Sequence, residues 1–268
     1  MITSTSNQQM KNIASLLKKS KERRNAKCFV VEGPRMVVET PVDKLRAVYV
    51  AECFAENGEN KGILKDIQDK CNQANAIYEI VADNVFKSVS DTQTPQGIMA
   101  VVEMPSYNLS ELLSGNNTHL LILESIQDPG NLGTMVRTGE GAGVTGIIMN
   151  KTTVDLFNPK TIRSTMGSIY RVPFYVTEDL AGTMKELQAQ GISLYAAHLK
   201  GKHSYDEEDY TSGCGFLIGN EGNGLSDEIS NLADTYIKIP MEGQVESLNA
   251  AISATLLMYE ANRQRRHK

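Results

Sequence analysis

The chain carries a succession of short apolar runs, each about the length of one strand, separated by stretches whose apolar residues recur at helical spacing. Leu120 to Glu124, Gly146 to Met149, Val172 to Tyr175, Ser193 to His198, Gly215 to Gly219 and Thr235 to Ile239 form the longer series. Between and after them the spacing predicts helices over Leu132 to Gly141, Pro159 to Met166 and Leu180 to Gln190, a short helix after Leu225 and a long one from Ser247 to about Arg265. A helix between two strands carries the chain back to the starting edge, so this alternation predicts an α/β fold with a mainly parallel, helix-covered sheet. No run approaches the roughly 18 to 20 apolar residues that span a bilayer, and the chain reads as a soluble globular protein.

A shorter series precedes it. A helix over Ile13 to Lys27 leads into a strand at Cys28 to Glu32, Gly33-Pro34 interrupts, and Arg35 to Glu39 resumes extended structure. Strands follow at Leu45 to Val50, Ile77 to Val81 and Gly97 to Val102, with a helix at Ile63 to Cys71, giving a small α/β unit. Pro105 to Asn108, a polar helix around Leu109 to Leu113 and Ser114-Gly115-Asn116-Asn117 look like a linker, with the boundary near residue 116. The expected organisation is residues 1–107, a linker at 108–117 and a second domain at 118–268.

The net charge is −5, so bulk charge does not point to a polyanion, but its distribution does. Lys11, Lys18, Lys19, Lys21, Arg23, Arg24 and Lys27 face one acid, Glu22, and the tail adds Arg263, Arg265, Arg266 and Lys268. These clusters are either local anchors for phosphates or a solvated helix face and a tail. Cys28, Cys53, Cys71 and Cys214 show no paired spacing and no two histidines stand four apart, so neither a disulfide framework nor a metal site is expected. Reduced thiols suggest the cytoplasm. The basic, serine-containing start could mimic a transit peptide, but a strand pattern follows at once.

A literal G-x-G-x-x-G stands at Gly141 to Gly146, yet a helix precedes it and a strand follows, the reverse of a dinucleotide fingerprint. These glycines read as a helix cap and turn, which removes the support for a nucleotide-dependent oxidoreductase.

Three other blocks are better placed. Gly219-Asn220-Glu221-Gly222-Asn223-Gly224-Leu225 follows an apolar strand directly, where open α/β sheets bind ligands; an ordinary flexible turn is the plain alternative. Ile239-Pro240-Met241 to Ser247-Leu248-Asn249 ends a strand and enters the last helix, with Ser247 as its natural N-cap. Leu248, Ala251, Ile252, Thr255, Leu256 and Tyr259 recur along that helix as core or subunit interface. Asp128-Pro129-Gly130-Asn131 opens another helix, which Asn131 can cap, and Arg137 lies six residues on; alone it could be a surface arginine.

Together the blocks resemble the three ordered motifs of the SpoU (TrmH) branch of the SPOUT class, RNA ribose 2′-O-methyltransferases that use S-adenosylmethionine. Asn131-x-Gly133-x-x-x-Arg137-Thr138 resembles the first, Gly219-x-Glu221-x-x-Gly224-Leu225 the second, and Ile239-Pro240-Met241-x-Gly243-x-x-x-Ser247-Leu248-Asn249 the third. Phe29-Val30-Val31-Glu32-Gly33-x-Arg35 and Pro95 to Val102 look like the ends of the small L30e-like substrate-binding domain found ahead of many such catalytic domains.

The resemblance implies an α/β sheet closed by a C-terminal trefoil knot, with no metal. It implies cofactor contacts at Gly219, Asn220, Glu221, Gly224, Ile239, Met241, Ser247 and Leu248, and catalytic roles for Asn131, Arg137, Glu221, Ser247 and Asn249. It also implies a homodimer packed through the last helix and an RNA substrate, with 23S ribosomal RNA the first choice. Transfer RNA, or a non-catalytic RNA-binding or ribosome-assembly factor on the same fold, are the alternatives. A free guanidinium has a pKa above 12 and is a poor base, so Arg137 is expected to position the ribose and stabilise oxyanion charge, with the proton acceptor open.

Overall fold

The computed structural model describes residues 1–113 and 117–267. Ser114, Gly115 and Asn116, where the boundary was expected, and the tail cation Lys268 lie outside the described residues. The chain divides into two compact units, Met1–Pro105 with Phe157–Tyr170, and Ser106–Leu156 with Arg171–Lys268.

In the first unit α1 (Gln8–Lys18) and α2 (Ser20–Ala26) lead into β1 (Cys28–Glu32) and α3 (Pro34–Glu39), followed by β2 (Leu45–Ala51), α4 (Glu52–Glu56), α5 (Lys61–Ala74), β3 (Ile77–Val81), α6 (Asp83–Val89) and β4 (Ile98–Glu103). The sheet order is β1-β4-β2-β3, with β4 antiparallel to both neighbours and β2 parallel to β3. Met10, Ile13, Leu16 and Leu17 of α1 are buried against it, as their helical spacing demands.

Two local expectations are corrected. The single helix over Ile13 to Lys27 is two, broken at Lys19, whose backbone is extended. Arg23, only 3% exposed, turns back and donates to the carbonyls of Leu16 (2.6 Å) and Leu17 (3.2 Å), which the end of α1 leaves without helical partners. One of the seven clustered cations is therefore a helix-end clamp rather than a free surface charge. Arg35 to Glu39 is helix, not strand: Gly33 takes a left-handed φ of +102° and Pro34 occupies the first helical turn, where its missing N–H costs nothing.

The second unit begins with α7 (Leu109–Leu112), β5 (His119–Leu123), α8 (Pro129–Ala142) and β6 (Gly146–Asn150). The next helix, α9 (Pro159–Thr165), belongs to the first unit, where the Phe157 ring lies 4.9 Å from that of Phe29 and the Tyr170 hydroxyl donates to the Met36 carbonyl at 3.1 Å. The second unit resumes with β7 (Phe174–Thr177), α10 (Leu180–Ala189), β8 (Ser193–Ala197), β9 (His203–Ser204), β10 (Cys214–Ile218), α11 (Asp227–Ser230), β11 (Thr235–Lys238) and α12 (Ala250–Arg266).

These seven strands form one sheet in the order β7-β6-β5-β10-β8-β11-β9, every neighbour pair parallel. Every residue of β5 and β10 is buried, which explains their unbroken apolar runs. From β5 the chain builds outward through β6 and β7, while β10 lies on the other side of β5, so the β5–β10 junction is the switch point where such sheets hold ligands. Gly143, at φ +76°, closes α8 and turns the chain toward β6, the cap role expected of that glycine run. Among the described residues no helix is long and apolar enough to cross a membrane.

Candidate active site

Two helices start beside this junction, and the residue that caps each decides which side chains remain for chemistry. Asp128, not Asn131, caps α8, accepting from the Asn131 N–H at 2.9 Å; the turn places Asn131 inside the helix and leaves its side chain free to reach across. Asn249, not Ser247, caps α12, its Oδ1 accepting from the N–H groups of Ala251 (2.8 Å) and Ile252 (3.3 Å). Both corrections have one cause. Several residues able to cap stand within a few positions, and the tertiary fold selects among them.

The freed groups join in a chain. Asn249 Nδ2 donates to Asn131 Oδ1 at 3.0 Å, and Asn131 Nδ2 donates to Glu221 Oε1 at 3.0 Å. Glu221 also accepts from the backbone N–H of Asp128 (3.0 Å) and, through Oε2, of Gln127 (2.9 Å). Partial burial pushes the Glu221 pKa up, but the donors from Asn131, Gln127 and Asp128 outweigh it and hold the group below the usual carboxylate range. It is thus an ionised acceptor saturated with donors, fit to order its neighbours.

A cleft of about 700 Å³ opens over this chain, lined by Gln127, Asp128, Asn131, Glu221, Ser247, Leu248, Asn249 and Ala250. Its volume suits a cofactor-sized ligand. The glycine loop at its side is tightly made: a Cβ at Gly219 would fall 2.1 Å from the Gly224 carbonyl carbon, so only glycine lets these backbones approach. Asn220 and Gly224 exchange two backbone hydrogen bonds, and Asn220 Oδ1 accepts from the N–H groups of Gly222 and Asn223.

Of the expected site residues, Asn131, Glu221, Ser247, Leu248 and Asn249 line the cleft. Gly219, Asn220 and Gly224 shape the adjoining loop, while Ile239 and Met241 are half-buried outside the lining. Arg137 is exposed on α8, also outside the lining, and makes no hydrogen bond or ion pair among the described residues. Gln127 was missed by sequence reasoning; it contributes its peptide N–H, which any residue but proline could supply. The stripe expected along the last helix splits. Of its members only Ala251 is core; Leu248, Thr255 and Leu256 are half-buried and Ile252 and Tyr259 are 50% and 44% exposed, while the buried face is completed by Ala254, Leu257 and Met258. The basic tail is largely engaged: Arg263 pairs with Glu260 at 2.6 Å, and Arg265 donates to the carbonyls of Tyr210, Asn117, Thr118 and Ser212.

An all-parallel α/β sheet with a polar, cofactor-sized cleft over its switch point, bordered by the start of the C-terminal helix, is the architecture of a ligand-binding α/β domain. Residues 118–259 match the SpoU rRNA methylase family, and residues 7–100 match the MRM3-like substrate-binding domain. The chain belongs to the SpoU rRNA methylase family. It is 32% identical over 260 residues to the 23S rRNA (guanosine(2553)-2′-O)-methyltransferase RlmP of Bacillus subtilis, spanning 96% of this chain and 97% of that one. Its structure is similar to the AdoMet complex of the SpoU methyltransferase AviRb from Streptomyces viridochromogenes, with a TM-score of 0.85 and 26% identity over 97% of this chain and 98% of the other. The AdoMet-bound rRNA methyltransferase of Sinorhizobium meliloti gives a TM-score of 0.86 with 29% identity over 98% and 97% of the two chains.

Proposed function

We propose that this protein transfers a methyl group from S-adenosylmethionine to a ribose 2′-hydroxyl of 23S ribosomal RNA. The observation that carries the reading is the Asn249–Asn131–Glu221 chain, which joins one residue from each of the three motifs at a single cleft. The relative from B. subtilis is named for this reaction on 23S rRNA, and the two structural neighbours hold AdoMet. The cleft volume, the close-packed Gly219 turn and the half-buried Leu248 fit such a cofactor, which would be held by the 219–224 loop and by Ile239, Met241, Ser247 and Leu248. When bound, the cofactor supplies an electrophilic methyl group.

The chain's own residues then orient the nucleophile. Arg137 is exposed and has no hydrogen-bond or ion-pair partner among the described residues, so its guanidinium is free to bind the ribose-phosphate and stabilise charge on the attacking oxygen. Glu221 is committed to three donors and serves as the ordering group, while Ser247 and Asn249 present polar groups to the cleft. Residues 1–107 hold the RNA, with Lys18, Lys19, Lys21 and Arg24 exposed for phosphates. The exposed Ile252 and Tyr259 serve a twofold contact between copies of the chain, and the four free cysteines suit a cytoplasmic protein.

The test is methyl incorporation from labelled S-adenosylmethionine into RNA of a deletion strain, wild type against Arg137→Ala, followed by mapping of the labelled ribose. Labelling of one 23S nucleotide that the variant abolishes supports the reading. Absence of cofactor binding by the wild type overturns it.

A further inference from the structure

Two consecutive residues at the end of β5, Glu124 and Ser125, precede the first motif and hold the glycine loop from two points. The Glu124 carboxylate accepts both the N–H and the hydroxyl of Ser226, at 2.8 and 2.7 Å, and the same hydroxyl accepts from the Ile229 N–H to cap α11. Ser125 stands at φ +58°, a left-handed conformation that serine rarely adopts and that persists only where neighbours hold it.

Those neighbours are present. The Ser125 N–H donates to Asn150 Oδ1 at 2.9 Å, and its hydroxyl lies 2.6 Å from that of Thr152 and accepts from Asn150 Nδ2 at 3.2 Å. Its carbonyl accepts from Gln127 Nε2 at 3.0 Å and from Asn220 Nδ2 at 2.9 Å. Residue 125 therefore ties together the ends of β5, β6 and β10. The chain leaves this reversal with the N–H groups of Gln127 and Asp128 on Glu221.

We propose that Glu124 and Ser125 are positioning residues for cofactor binding: the carboxylate fixes Ser226 at one end of the loop and the Ser125 carbonyl fixes Asn220 at the other. A segment with glycines at 219, 222 and 224 has much conformational freedom to lose, and anchoring both ends removes that loss from the binding step. The inference rests on the methyltransferase reading above. It places the effect in cofactor affinity rather than in the methyl-transfer step.

Calorimetric titration of AdoMet and single-turnover transfer at saturating cofactor, with melting temperatures, test this on wild type, Glu124→Ala, Glu124→Gln, Ser125→Gly and Ser125→Val. Glu124→Ala is expected to weaken AdoMet binding about tenfold while the saturated rate stays within about threefold, since charge-assisted hydrogen bonds are lost only from the loop anchor. Glu124→Gln keeps one acceptor and recovers part of the affinity. Ser125→Gly, which accepts a left-handed φ, stays within about threefold of wild type, whereas Ser125→Val weakens binding by about tenfold or more. Should Ser125→Val fail to fold, the Glu124 pair decides. Unchanged affinity in Glu124→Ala, or affinity and rate falling together with melting temperature, overturns the inference. A wild type that binds no AdoMet overturns the methyltransferase reading as well.

Discussion

Asn249 caps α12 with its carbonyl oxygen and holds Asn131 with its amide nitrogen, so one side chain both starts the last helix and completes the cleft. The two tasks can be separated. Asn249→Asp keeps an oxygen for the cap but loses the donor and sets a second carboxylate near Glu221. Methyl transfer is expected to fall about 100-fold, with thermal stability near wild type. Asn249→Ala loses both and is expected to cost about 1 kcal/mol of stability as well. Thermal melts and single-turnover rates of the two variants check this.

Arg137 is exposed and makes no hydrogen bond or ion pair among the described residues. Arg137→Ala should leave stability within about 0.5 kcal/mol of wild type, as for surface substitutions in general. Transfer to RNA should drop roughly 100- to 1,000-fold, the scale of one lost oxyanion donor, with AdoMet affinity unchanged. Arg137→Lys should not restore the rate, because an ammonium lacks the planar fork. Parallel calorimetry and rate measurements decide it.

The acid response has two components of stated sign. Glu221 is held below the ordinary carboxylate range, so its contribution is complete above about pH 4.3 and is lost as pH falls through the lower folded value. His119 acts earlier. Burial, aided by the nearby Arg265, lowers its pKa from 6.5 to about 3, and its Nε2 has no hydrogen-bond partner among the described residues. The unfolded chain binds the proton first, so stability falls as pH drops from 6.5 toward 3. Urea melts at pH 7.5 and 5.0 should show this loss in the wild type and a smaller one in His119→Phe.

Within the basic segment, residues of the same charge should behave differently. Arg23→Ala removes a buried clamp from two helix-end carbonyls and is expected to destabilise by about 2–3 kcal/mol, measured by urea unfolding. Lys21→Glu and Arg24→Glu, both exposed, should leave stability nearly unchanged. Each should weaken RNA binding and flatten its salt dependence by about one unit of log–log slope.

Ile252 and Tyr259 lie seven residues apart on α12, both half exposed beside a buried face of alanines, leucine and methionine. If they serve a contact between copies, Ile252→Glu with Tyr259→Glu should convert a dimer to monomer in analytical ultracentrifugation without unfolding the chain. A wild type that is already monomeric at micromolar concentration would remove the assignment.

The second sheet was legible because its central strands are buried on both faces and therefore read as unbroken apolar runs; Leu120 to Leu123 and Phe216 to Ile218 announce themselves. The ordered motifs likewise pointed to Asn131, Glu221, Ser247, Leu248 and Asn249, all of which line the cleft. Cap identity was not legible. Asp128 and Asn131, or Ser247 and Asn249, are equally able to accept from a helix N-terminus, and long-range partners decide which one does. Backbone donors such as the Gln127 N–H leave no trace in residue type. The helix at Pro159 to Thr165 was readable from its pattern, but periodicity carries no information about which core a helix completes.

That last segment makes the first unit discontinuous in sequence. Phe29 is wholly buried and has Phe157 as its ring neighbour, although more than a hundred residues separate them along the chain. A fragment ending at Pro105 would lack Phe157 and Tyr170, removing the ring that packs on Phe29 and leaving the Met36 carbonyl with the Thr40 hydroxyl as its side-chain donor in place of two. The two units are therefore not beads that recombination can exchange at a single crossover. A chimera that imports the first 105 residues from a relative must import a compatible Phe157–Tyr170 with them, a segment carried in the sequence between β6 and β7 of the other unit.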